Sequence, residues 1–319
     1  MTRIVEGAPG AIASPVSTAE YDAFGPWVLE VRTPEDVPRL YRGYPFDPGS
    51  SLLVLKIPRS IARRDANPDM DLYDHLLVVG PEHLTVLSRR SSAFIAVEIA
   101  YSSIVAIEDS VDLLDGRLIL HTDTGAAMTL PYNGSSQRLM GRLVNLLREL
   151  SLVAAEPSGR GRSRWLEALP GGPASAPGLR DLGDRDVALV TEQQDLFRRE
   201  PGLLLLAAHG GRTVAPRGSS LADRVRAARP TNLQGAVVCA AEHELQILCR
   251  RHWFVRRSRP VHSLTRLVIP VARIDAVTVR ADARYAQVNA VTIRAGGAEL
   301  GLALPAGSLM ERVLAAVAA

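Results

Sequence analysis

The densest run of ionisable groups in this 319-residue chain begins at Lys56-Ile57-Pro58-Arg59, continues through Arg63-Arg64-Asp65, and ends at Asp69-Met70-Asp71 and Asp74-His75. Lys56, Arg59, Arg63 and Arg64 have the chemistry of an anion or partner site, because guanidinium groups make paired hydrogen bonds to carboxylate or phosphate. The competing arrangement is a solvated loop whose cations pair with Asp65, Asp69 and Asp71. Asp69 and Asp71, with Asp74 and His75 close by, would suit a metal-dependent enzyme; turn and capping duty is the other use of such carboxylates. No metal or cofactor is assigned to them. Two further doublets, Arg89-Arg90 and Arg250-Arg251, end similar strands and would line two equivalent anion sites or serve strand-end pairing. Trp253-Phe254 adds an aromatic face suited to peptide or membrane contact, or to edge packing.

Other donor sets carry less. Cys239, His243, Cys249 and His252 hold zinc-type donors, but a turn at Glu242-His243 pairs Ala240 with Leu245. Strand alternation then sends Cys239 and Cys249 to opposite faces, so both are expected as buried thiols. His209-Gly210-Gly211 has the look of an oxyanion-hole fragment without a nucleophile and reads as a hairpin turn. No nucleophile elbow, phosphate loop or dinucleotide fingerprint is present. The chain is therefore expected to be non-catalytic.

The elements that must position these residues occur twice. Leu84-Thr-Val-Leu-Ser-Arg-Arg90 reappears as Leu245-Gln-Ile-Leu-Cys-Arg-Arg251, and Ser51-Leu-Leu-Val-Leu55 as Gly202-Leu-Leu-Leu-Leu206. Strands are expected at Trp27–Val31, Leu52–Ile57, and on either side of Gly80-Pro-Glu-His83, with the counterpart hairpin at Val237–Cys239 and Leu245–Leu248. Val97–Ile107 matches Leu267–Val277 at a constant offset of 170 residues. The hairpin Leu118–Leu130 matches Val291–Leu302, with Gly125, Gly296 and Gly297 in the turns. Each copy then changes period from two to 3.6. Leu139, Leu143, Leu146, Leu147 and Leu150 form one stripe behind Ser135 or Ser136, and Leu309, Val313, Leu314 and Val317 another behind Ser308. The Lys56–His75 charges have no counterparts in the second copy, where Ala207, Gly210, Pro230, Asn232, Gly235 and Ala236 stand instead.

Length and repeat together predict a flexible lead over 1–20, a first domain over 21–154, a Pro-, Gly- and Arg-rich linker over 155–184 and a second domain over 185–319. The second copy carries an insertion near Gly218–Arg229, where a surface loop is expected. Among 37 Lys+Arg one is lysine, leaving 36 arginines, while aromatics make up only 5%. Arginine excess without stacking partners makes nucleic acid an unlikely ligand. The longest apolar run, Leu203–Ala208, is far below the roughly 20 residues of a membrane span. Met1–Ser14 lacks a signal-peptide core, so a cytoplasmic location is expected.

About seven short strands and a closing amphipathic helix, with Ile99-x-Tyr-Ser-Ser-Ile-x-Ala-Ile107 and the Leu118–Leu130 hairpin before the helix, resemble the bacterial pleckstrin-homology-like (PH-like) domains, here in tandem. The resemblance implies a mainly β fold, two sandwiches or partly open barrels each closed by a helix. It also implies docking of lipids, peptides or proteins. Phosphoinositide binders of that kind carry cations in the first hairpin loop; Gly80–His83 has no Lys or Arg. The expected function is therefore a scaffold for a protein partner, and homo-oligomers are plausible through sheet edges. Binding of anionic membrane through Arg-rich loops is the alternative, and an enzyme built on Asp69–His75 a third.

Overall fold

A computed structural model of the chain describes residues 17–155, 182, 186–218, 230–256 and 261–317. The lead, the linker and the insertion near Gly218–Arg229 lie for the most part outside these residues. Two compact units are present, one within Met1–Gly80 and Thr85–Val97, the other within Pro81–Leu84 and Glu98–Ala319. The described chain is mainly β, in antiparallel sheets that do not close into a barrel.

After a short helix α1 (Ala19–Ala23), a five-stranded sheet runs β1 (Leu29–Glu30), β2 (Leu53–Pro58), β3 (Tyr73–Val79), β4 (His83–Arg90), β5 (Ala93–Ala100) in that spatial order. Leu55 stands opposite Leu77 on β2 and β3, and the sheet buries Val54, Leu76, Val78 and Leu87 against Phe24, Val37 and Tyr41. The strand expected at Trp27–Val31 shrinks to Leu29–Glu30, whose residues pair with β2 in register; Val31 adds a single N–H bond to the Val54 carbonyl, and Trp27 is left exposed. A 3-10 turn at Tyr101–Ser103 divides the run Val97–Ile107, which the alternation alone does not reveal.

The second unit continues with β6 (Ile104–Asp112), β7 (Asp115–Thr122), β8 (Ala127–Asn133) and helix α2 (Gln137–Ala154). Helix α3 (Val187–Arg199) precedes β9 (Leu204–His209), β10 (Arg212–Val214), β11 (Thr231–Leu233), β12 (Ala236–Ala240), β13 (Glu244–Cys249), β14 (Phe254–Arg256) and β15 (Leu264–Pro270). The chain then forms β16 (Ala276–Ala281), β17 (Val288–Ala295), β18 (Ala298–Pro305) and helix α4 (Leu309–Val317).

Seven of these strands build one sheet in the order β8-β7-β6-β15-β13-β12-β9. Its middle pair, β6 with β15, joins the two sequence repeats: Leu264 faces Val111 and Val268 faces Ile107. The second-repeat half is covered on both faces, which is why β12 and β13 are buried at every residue rather than on alternate ones. On one face Val238, Ile247 and Ile269 meet β17, β18, Met310 and Leu314; on the other Val237, Cys239 and Leu248 meet Leu189 and Leu196 of α3. The pairing of Ala240 with Leu245 and the opposite facing of Cys239 and Cys249 are as the turn chemistry predicts.

Helix α2 buries Met140, Leu143, Val144 and Leu147. Ser136 stands at its N-cap without a side-chain cap bond; the adjoining turn is held instead by Asn133, whose Oδ1 accepts from the Ser135 N–H at 3.0 Å. At α4 the Ser308 Oγ does accept from the Glu311 N–H, at 3.2 Å. His209-Gly210-Gly211 is not a hairpin turn. β9 pairs with β12 and β10 with β11, so this segment carries the chain from one sheet into another.

Candidate functional site

Lys56 lies in the fully buried part of β2, where its ammonium donates to the Asp36 carbonyl at 2.8 Å and stands 5.1 Å from the centre of the Tyr73 ring. Burial pulls its pKa below the ordinary lysine value, with Asp36 and Glu20 opposing. Arg59 donates to the Asp71 carbonyl. Arg63 donates to the carbonyls of Tyr21 and Phe24 and stacks 4.1 Å from the centre of the Tyr21 ring. Arg64 points to solvent, with Asp65 at 3.8 Å. Three of the four cations therefore brace the N-terminal segment and the β2–β3 connection.

The acidic partners are likewise separate. Asp71 pairs with Arg39 at 2.9 Å, Asp74 with Arg89 at 2.8 Å, and the His75 Nδ1 lies 3.0 Å from the Ser88 Oγ. The Asn67 Oδ1 caps the turn by accepting from the Asp69 backbone N–H at 3.0 Å. Among the described residues no group of three or more His, Cys, Asp or Glu is placed to hold a metal ion. Arg90 is exposed at the end of β4.

The second doublet is buried. Arg250 is 4% exposed, donates to the Ser263 carbonyl at 2.8 Å and faces Asp186 at 3.7 Å. Asp186 accepts from the Gly211 N–H at 2.9 Å, and a side chain on Gly235 would collide with it. Together with Asn232, Gln234, Arg256 and Val261 they line a polar cleft of about 170 Å³, in which the Arg250 Nε has no hydrogen-bond partner among the described residues. Arg251 clamps the β6–β7 hairpin, donating to the Ser110 Oγ at 2.7 Å and to the Asp115 carboxylate at 2.5 Å. The equivalent doublets thus do different work: Arg89 ties β4 to Asp74, whereas Arg251 ties the second repeat to the first. Trp253 donates its indole N–H to the Gly301 carbonyl at 3.2 Å and packs on the core.

Three features carry no obvious sequence signal. The first is a charge cluster between α2, the end of α3, β13 and β15. Arg148 bridges Glu200 at 2.8 Å and Glu244 at 2.7 Å; Arg266 reaches Glu200 at 2.7 Å; Gln246 donates to both carboxylates. Burial raises the Glu244 carboxyl above its ordinary value, whereas for Glu200 Arg266 and Arg148 outweigh burial and hold it down. The second is the β6–β7 turn, where Leu113 and Leu114 are 66% and 64% exposed and Leu113 sits at φ 56°. An apolar residue in the left-handed region is strained, and strain of that kind gathers at recognition sites. The Gly134 N–H donates to the Leu114 carbonyl at 2.8 Å and holds the turn. The third is contact between equivalent turns of the two repeats. The Gly297 N–H donates to the Asp123 carbonyl at 2.6 Å, and a Cβ on Gly125, itself at φ +82°, would lie 2.7 Å from the Gly297 oxygen.

No protein-family model, no curated protein and no solved structure matches this chain.

Proposed function

We propose that the chain is a non-catalytic interaction module made of two PH-like repeats. The order of elements supports the repeat: β2-β3-β4-β5, a 3-10 turn, β6-β7-β8 and α2 in the first copy; β9-β12-β13-β15, a 3-10 turn, β16-β17-β18 and α4 in the second. The single observation that carries the functional reading is the β6–β15 pair. One repeat already recognises the other by adding a strand to its sheet edge, the mode by which such sheets take extended partners. The exposed Leu113-Leu114 turn supplies an apolar anchor of the kind found at the centre of protein interfaces. Asp112 and Asp115 flank it, Asp115 being paired with Arg251 and Arg117. The membrane alternative has less support, because most of its proposed cations are spent on internal carbonyls and carboxylates.

The test is affinity capture of the tagged chain from its native cells, with mass spectrometry of proteins and lipids at low and high salt, beside a Leu113→Ser/Leu114→Ser variant. A stoichiometric protein that survives high salt and is lost with the variant supports this function. Anionic lipid alone, released by salt, would replace it with membrane association; no specific ligand in either salt would sink it.

A further inference from the structure

The repeat makes the β6–β15 pair a template. An offset of 170 residues carries Tyr101–Ser103 onto Val271–Arg273, β5 onto β15 and the body of β6 onto β16. In the seven-stranded sheet the first copy's β6 lends its edge to the second copy's β15. The corresponding edges each lie at the end of a sheet: β5 ends the five-stranded one, and β16 ends the three-stranded one. Edge strands of stable monomers are normally guarded by Lys, Pro, bulges or covering loops. Residues 93–97 of β5 are Ala, Phe, Ile, Ala and Val, with Ala93, Ile95 and Ala96 exposed and Ile95 at 44%. On β16 Thr278, Arg280 and Ala281 are exposed.

We propose that β5 of one copy pairs with β16 of a second copy, antiparallel and in the register that β15 uses on β6. Carried over by the offset, Thr265 opposite Ser110 becomes Ile95 opposite Arg280, and Leu267 opposite Glu108 becomes Val97 opposite Thr278. The two edges are unlike, so the contact is head-to-tail: two chains close on each other if both pairs form reciprocally, and a longer assembly grows if they do not. This rests on the equivalence of the repeats and not on the identity of any other partner.

Light scattering of the full chain against concentration gives at least twice the 34.4 kDa chain mass at the upper end; a monomer throughout overturns the proposal. Ile95→Lys places a cation opposite Arg280 and weakens association about fivefold, whereas Ile95→Glu maintains or tightens it. Ile95→Lys with Arg280→Glu restores it. Unchanged melting temperatures show that these exposed substitutions leave the fold intact, and identical association by all three variants would refute the register. Finally, a mixture of the single variants Val97→Cys and Thr278→Cys yields a covalent dimer under oxidation. A disulfide that forms only within the double variant, as an internal link, overturns pairing between copies. A monomer that still captures a partner protein ends this inference and leaves the proposed function intact; an assembling chain that captures nothing does the reverse.

Discussion

His209 ends β9 at 4% exposure, its Nδ1 3.3 Å from the Gly210 carbonyl and its Nε2 without a hydrogen-bond partner among the described residues. Burial, more than the nearby Arg212 charge, lowers its pKa to about 4 from the ordinary 6.5. The folded chain therefore holds this imidazole neutral, while the unfolded chain takes up a proton as the pH falls below about 6.5. Stability is lost between pH 6.5 and 4 by up to about 3 kcal/mol. Urea denaturation across that window measures the slope, and His209→Gln flattens it; a wild-type profile with no slope there would contradict the neutral imidazole. Leu113 makes the opposite kind of test. The left-handed backbone costs an L-residue about 1 kcal/mol, and the side chain at 66% exposure has little packing to lose. Leu113→Gly is therefore expected to raise the unfolding free energy by about 0.5 kcal/mol while weakening partner capture. A residue with a purely structural role would not separate the two readouts. At this scale Lys56, Arg59 and Arg63 are readable from the sequence as cations close together along the chain. Their engagement with the carbonyls of Asp36, Asp71, Tyr21 and Phe24 was not legible, because backbone acceptors leave no trace in residue type.

Between elements, the Arg148–Glu200–Glu244–Arg266 cluster links α2 of the first repeat to β13 and β15 of the second. Glu244 is 1% exposed, so removing its cation leaves an uncompensated buried charge. Arg148→Met is expected to destabilise the chain by about 3 kcal/mol, and Glu244→Gln added to it to recover a large part of that loss. A double-mutant cycle by chemical denaturation measures the coupling; simple additivity would show that the bridge contributes nothing specific. The hairpins and both repeat-ending helices were legible, since alternation, turn glycines and a 3.6-residue stripe are local properties. Gly125 and Gly296 do adopt positive φ, at 82° and 56°. Helix α3 was not foreseen. Its buried stripe Leu189, Gln193, Leu196 is broken by a polar residue that sits at 3% exposure.

For the whole molecule, strand alternation and turn residues were enough to predict a mainly β chain of antiparallel sheets. Those properties follow from periodicity and turn chemistry, which each act over a few residues. Which strand edges meet is a different matter. β6 and β15 are separated by more than a hundred residues, and nothing in either sequence marks β6 rather than β5 as the edge that β15 takes. The 3-10 corner at Tyr101–Ser103, the Arg251 clamp on Asp115 and the contact between the Asp123–Gly125 and Gly296–Gly297 turns select it. The same holds for Glu200, Glu244 and Arg266, which in sequence are ordinary surface-type charges. They become a buried network because folding removes water from groups far apart in the chain, so that each must find its counter-charge in another element. Local pattern decides what each segment becomes; burial and edge pairing, which depend on residues far away in sequence, decide which segments meet and what they leave open for a partner.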